Sequence, residues 1–184
     1  EPTASTQFDG PQHDDILSAN RNYSDQLGAN NTLASASDLG SFGDGTHSQT
    51  NLSLATSSDI DIYQFRTLAG SRRATITMSP VGLTYLEGIQ NPDSSCSAGT
   101  SFNSRSRRNL AMELFDSNGT TSLGVASSAA AGVDEVLFNI DLGGGTGPFF
   151  LRVFGDGVDT SQLYNLEVLV EDGTPQPEIA VLGN

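Results

Sequence analysis

Apolar residues in this chain recur mostly at every second position, the spacing of strands with one buried and one solvated face. The runs are short and are separated by turn-forming residues. They fall at 48–55 (SQTNLSLA), 59–68 (DIDIYQFRTL), 74–79 (ATITMS), 110–115 (LAMELF), 122–126, 135–142 (EVLFNIDL), 149–154 (FFLRVF) and 164–170 (YNLEVLV). About eight such strands with almost no helix predict an all-β fold, an antiparallel β-sandwich of jelly-roll type. Its core is expected to hold Phe65, Ile76, Leu114, Phe138, Ile140, Phe150, Val153, Leu166 and Val168. One stretch has another rhythm. In HDDILSANRNYSD, Ile16, Leu17, Ala19, Asn20 and Tyr23 share a helical side. Asp14 and Asp15 stand in the first turn, where the helix dipole favours negative charge. A short N-terminal helix is expected, too short to be stable without a surface to pack on.

This pattern divides the chain. Residues 1–29 read as a lead-in with the short helix, 30–172 as the sandwich, and 173–184 as a linker or the start of a following module. Residues 81–109 break the strand rhythm. They are rich in Ser, Gly and Asn, contain Cys96, and end near Arg-Ser-Arg-Arg at 105–108. So long a gap predicts an insertion with short elements or a function of its own.

Charge narrows the function classes. Eight basic residues, every one an arginine, face 22 acidic ones, for a net charge of −14. A nucleic-acid partner is excluded on this basis, since phosphate contact needs a basic surface. No apolar run reaches the ~18 residues of a membrane span, so no membrane insertion is expected. A single cysteine rules out an intrachain disulfide and any Cys-rich zinc site. The opening EPTASTQFDG lacks the basic start and apolar stretch of a signal peptide. Any export signal is therefore expected to have been removed or to lie outside this stretch.

Several pieces appear in a particular order. They are NNTLASASDLG at 30–40, SSDIDIYQFRTLAG at 57–70 leading into ATITM, MELFDSNGT at 112–120, and FFLRVFGDG followed by YNLEVLV. Taken together, from Asn30 to Val170, they resemble the bacterial pre-peptidase C-terminal domain. That module is a β-sandwich appended to secreted peptidases and related in architecture to the collagen-binding domains of bacterial collagenases. The resemblance implies a bacterial, extracellular or cell-surface protein. PQHDDILSANRNYSD at 11–25 is similar to the closing helix of a matrixin-type metallopeptidase domain, although Ser24 stands where that family has Gly. PEIAVLGN at 177–184 resembles the opening strand of immunoglobulin-like repeats in large bacterial surface proteins. These flanks imply a segment of a longer modular protein.

The leading chemical candidate is a calcium ion. Hard cations need several oxygen ligands. Asp59-Ile-Asp61 sets two carboxylates on the same side of an extended chain, about 7 Å apart. In the collagen-binding domains that the sequence resembles, an acidic, Asn-containing lead-in pairs with an acidic strand start to hold calcium. The corresponding set here is Asn30, Asn31, Asp59 and Asp61. Gly28 and Ala29 stand where Glu and Pro are common, and Thr32 where Asp can sit, which removes carboxylate charge. The competing reading makes Asp59 and Asp61 solvated residues at a strand entrance. Arg72, Arg73, Arg105, Arg107 and Arg108 form two sequence clusters. Arginine pairs bidentately with carboxylates, so the five would dock an acidic partner surface or, alternatively, balance local charge. The 155–159 loop, with two carboxylates and flexible glycines, reads as a simple turn with an ion site as the alternative, and Asp116-Ser117-Asn118-Gly119 reads as a hairpin turn with Asn118 supplying positive φ.

Signs of catalysis are lacking. His13 and His47 are too far apart in sequence for a zinc-binding His-Glu-x-x-His helix, no Gly-x-Ser-x-Gly elbow occurs, and Cys96 has no activating histidine nearby. The chain thus reads as a non-enzymatic, secreted binding or spacer module of a metallopeptidase-like or adhesin-like parent. Its partners would be a protein, an extracellular polymer or neighbouring modules. The alternative is a structural subunit of an extracellular filament or surface layer, polymerised through its termini. A small hydrolase would require a cleft that gathers titratable groups.

Overall fold

The computed structural model describes residues 13–23, 27–95 and 97–173. Of the expected tail at 173–184 only Gly173 is described; the lead-in at 1–12, residues 24–26, which include the end of the 11–25 resemblance, and Cys96 lie outside the described residues. The fold is all-β, a sandwich with one short helix, α1 (His13–Tyr23). Eleven strands follow: β1 (Ser37–Phe42), β2 (Gly45–Leu54), β3 (Ile60–Thr67), β4 (Arg72–Val81), β5 (Thr84–Glu87), β6 (Thr100–Asn103), β7 (Leu110–Phe115), β8 (Ser122–Ala126), β9 (Glu135–Asp141), β10 (Phe149–Gly155) and β11 (Gln162–Asp172). One sheet has the order β1-β3-β10-β7-β8 and the other β2-β11-β4-β9. The expectation of about eight strands missed β1, β5 and β6. β1 is hidden because Ser37–Phe42 (SDLGSF) has only two large apolar side chains. It also pairs with β3 in parallel, the exception to the antiparallel expectation. The reason is topological: β2 crosses to the other sheet, so the chain returns to β3 in the direction of β1.

Two-residue alternation builds the core. Tyr63 and Phe65 of β3, Leu151 and Val153 of β10, and Met112 and Leu114 of β7 point inward from one sheet. From the other come Leu52 and Leu54 of β2, Ile76 and Met78 of β4, and Tyr164, Leu166, Val168 and Val170 of β11. Fully burying an aliphatic or aromatic side chain is worth about 1.5–3 kcal/mol. Six of the nine expected core residues are buried: Phe65, Ile76, Leu114, Val153, Leu166 and Val168. Three are not. Phe138 is 76% exposed, and Ile140 and Phe150 are half-buried. β9 carries a bulge at Asn139, whose φ is +54°, and the register with β4 shifts there. Leu137 faces inward before the bulge, so its neighbours Val136 and Phe138 face solvent. Phe150 lies on the outward face of β10, where it and Leu33 close over Gly119. Gly119, not Asn118, takes positive φ in that turn (+69°); Asn118 instead accepts from the Thr120 and Thr121 N–H groups.

The insertion is an arm with a clamped base. β5 and β6 pair as a hairpin that belongs to neither main sheet. Tyr85 packs on Phe102 at 5.1 Å, and the Arg107 guanidinium lies 4.7 Å from the Phe102 ring centre. At its base, Ser104 donates its N–H to the Leu83 carbonyl (2.9 Å) and its hydroxyl accepts from the Leu83 N–H (2.8 Å). A Cβ at Gly82 would collide with the backbone of Arg105, so only glycine lets the two ends approach this closely. The Gln162 side chain completes the clamp. Its oxygen accepts from the N–H groups of Arg107 and Arg108, and its amide donates to the carbonyls of Val81 and Leu163.

The packing predicts a sharp contrast between two apolar positions. Leu114→Ala, at the centre of the sandwich, loses about 3–5 kcal/mol in urea unfolding. Phe138→Ala changes stability by no more than about 0.5 kcal/mol.

A carboxylate site at one rim of the sandwich

The candidate site forms where several elements converge on the start of β3. α1 is docked there: the Asn20 amide donates to Ser53 Oγ (3.1 Å), and Arg21 pairs with Asp159 (3.3 Å) on the β10–β11 connection. The two-residue spacing places Asp59 and Asp61 beside a common cavity of about 80 Å3, shared with Asn20 and Arg21 of α1, the Gly28–Ala29 stretch and Ser53. That is room for an ion or a few waters.

Each predicted ligand has a definite environment. Asp61 is only 2% exposed. It faces inward beneath Tyr164, whose hydroxyl donates to Asp61 Oδ2. Tyr164 is joined in turn to the Tyr63 hydroxyl at 2.7 Å. Asp59 is half-buried and its Oδ2 accepts from the Ala55 N–H (2.6 Å), which tightens the β2–β3 connection into a ring. Asn30 is 1% exposed, and its carbonyl accepts from the N–H of Ile62, next to Asp61 (3.0 Å). Neither polar atom of the Asn30 side chain has a hydrogen-bond partner. A buried amide left unpaired costs about 1–3 kcal/mol, and a cation on Oδ1 would still leave Nδ2 without a partner. Asn31 is exposed. The cavity is lined by Asp59 and Asp61; Asn30 joins β3 beside them through its main chain, and Asn31 lies at the surface.

The two carboxylates of the lining are donors of the kind a hard cation takes, and the Arg21 guanidinium shares the same wall. Among the described residues no group of three or more His, Cys, Asp and Glu side chains converges. A cation here would rely on neutral oxygens for the rest of its shell. Burial, the neighbouring Asp61 charge and Tyr63, in that order, push the Tyr164 phenol well above its ordinary value. It stays protonated and remains a donor.

The five arginines do not make one surface. Arg72 and Arg73 start β4, whereas Arg105, Arg107 and Arg108 follow the insertion beyond its other end; ten residues of strand put roughly 30 Å between them. Arg72 pairs with Asp44 and Asp172 (both 3.3 Å), and Arg73 donates to the Asn139 carbonyl (3.0 Å). Arg105 pairs with Asp134 (2.8 Å), and Arg107 donates to Thr160 Oγ1 (3.0 Å). Arg108 corrects the expectation outright. It is 1% exposed, with Nη1 donating to the Thr56 carbonyl (2.7 Å) and Nε 3.8 Å from Asp156. Its guanidinium lies against Gly155, where any Cβ would collide with it. An arginine enclosed this way braces the connection that carries Asp59 and is out of reach of a docking partner. Burial pulls its proton affinity down, and Asp156, Asp59 and Asp159 act against that. The acidic 155–159 loop is likewise structural. Asp156 accepts from the N–H groups of Asn109 and Val158, and Asp159 from that of Ser57.

Sequence reasoning missed the two tyrosines and the α1 residues. A signal for Tyr63 and Tyr164 was present: each occupies an inward position of a two-residue alternation, and a buried phenol must find a partner. No protein-family model matches the chain, and a search of curated proteins also returns no match.

Two outcomes follow from this geometry. Arg108→Ala destabilises by about 2–4 kcal/mol, because it empties a packed volume and strands its partners. Arg105→Ala, on an exposed ion pair, and Arg73→Ala, which removes an exposed hydrogen bond to a carbonyl, each cost less than about 1 kcal/mol in the same denaturant titration. Stability also falls as the pH climbs past about 10, the ordinary tyrosine value. There the unfolded chain releases the Tyr164 proton and the folded chain keeps it. Tyr164→Phe flattens this alkaline limb in thermal melts taken across the range.

Proposed function

We propose that this chain is a non-catalytic β-sandwich module of a larger secreted bacterial protein, metallopeptidase-like or adhesin-like, that works by binding or spacing and is stiffened by calcium. The Asp59 and Asp61 carboxylates lining one cavity carry the reading. The Asn30 carboxamide close by is buried and unpartnered, and its backbone is bonded to Ile62, next to Asp61. Asn30, Asp59 and Asp61 would hold the ion, which supplies positive charge to two neighbouring carboxylates and ties the lead-in to β2 and β3. A module that holds a parent protein at a fixed distance from a polymer or surface needs just such a stiff junction. The order of sequence pieces shared with the pre-peptidase C-terminal domain, and the net charge of −14, support an extracellular setting.

Thermal unfolding with calcium and with chelator tests this reading. A site of micromolar affinity in millimolar calcium adds about 4 kcal/mol of stability. Asp59→Asn removes most of the increment. Superimposable melts with and without the ion would eliminate calcium, and turnover of a peptide or glycan substrate that disappears with Asp59→Asn would make the site catalytic instead.

A further inference from the structure

Three polar groups stand in line inside the otherwise apolar sandwich: the Tyr63 hydroxyl, the Tyr164 hydroxyl and the Asp61 carboxylate. Asp61 and Tyr63 are two residues apart on β3 and face the same way, while Tyr164 reaches across from β11 in the opposite sheet. Both tyrosines are fully buried. The direction of the line follows from chemistry. A carboxylate only accepts, so Tyr164 donates a hydrogen bond to Asp61 Oδ2, and Tyr63 must then donate to the Tyr164 oxygen. Each bond polarises the next, so the line strengthens toward Asp61.

Placing two phenols and a carboxylate in a core has a cost that apolar side chains of similar shape would avoid. The line ends at the cavity that Asp61 shares with Asp59, so its product is a fixed carboxylate facing that cavity. We infer that Tyr164, backed by Tyr63, is a positioning residue for the cation site: it holds Asp61 in one rotamer and so sets the affinity for the ion. This inference rests on the calcium reading above. Groups that orient a ligating side chain commonly alter metal affinity by about 10–100-fold when removed.

The experiment uses the whole chain, with calcium affinity measured by calorimetry and terbium as a luminescent substitute. The chain has four tyrosines and no tryptophan, so sensitised terbium emission comes from a nearby tyrosine. In the wild-type chain, terbium emission excited through tyrosine rises on titration and is quenched by competing calcium. Tyr164→Phe weakens calcium binding about tenfold or more. Tyr63→Phe weakens it by a smaller factor and retains the emission, because Tyr164 is still in place. Melts in chelator separate affinity from folding, since a merely structural pair would lower those melting temperatures and leave the affinity untouched. Should Tyr164→Phe fail to fold, Tyr63→Phe carries the comparison alone. Unchanged affinity in the folded variants overturns the positioning role and spares the calcium site. A wild-type chain that binds neither ion overturns both.

Discussion

Burial of the inward faces of β10 and β11 is the constraint on which the rest of the sandwich depends. These adjacent strands lie late in the described chain, yet each goes to the interior of a different sheet. β10 is flanked by β3 and β7, β11 by β2 and β4. Leu151, Val153, Tyr164, Leu166 and Val168 belong to a single core to which every strand of both main sheets is attached. No earlier pair of strands can form the finished layers without them. Long-range pairing of this kind slows folding, because loop closure must precede the contacts that stabilise it. The connection between the two strands also braces the rim site, through Asp156 to Arg108 and Asp159 to Arg21. Core, rim and helix docking are therefore one system.

Much of this architecture could be read from residue order because alternation is a local property. β7 and β8 start and stop where their hydrophobic runs do, and β3, β9 and β10 agree to within a residue at each end. What escaped was non-local. Phe138 looks like a core residue in EVLFNIDL, but Leu137 takes the inward place beside it, and the bulge at Asn139 then turns Ile140 back toward the core. β1 owes its identity as a strand to its parallel neighbour rather than to its own composition. Arg108 sits in a run that reads as a solvated basic patch, yet Gly155 and Thr56, far away in sequence, enclose it.

The rim site was legible to the same extent. Two carboxylates at i and i+2 announce themselves on one strand, and Asn30 and Asn31 on the segment before it. Burial then distinguishes neighbours that look alike on paper, taking Asn30 in and leaving Asn31 out. The Tyr63–Tyr164–Asp61 line could not be read at all as an ensemble. It joins two sheets, and nothing in a one-dimensional pattern says which inward residues of opposite sheets will face each other.

The clamp beneath the β5–β6 hairpin decouples that segment from the sandwich. Leu83 and Ser104 are bonded to each other, so the polypeptide leaves and re-enters the sandwich at nearly the same point. Whatever lies between them can lengthen, shorten or change character without disturbing strand register, because the closure entropy grows only slowly with added residues. The hairpin is an outgrowth on a socket whose geometry the clamp sets, so its residues can change while the supporting strands keep their register.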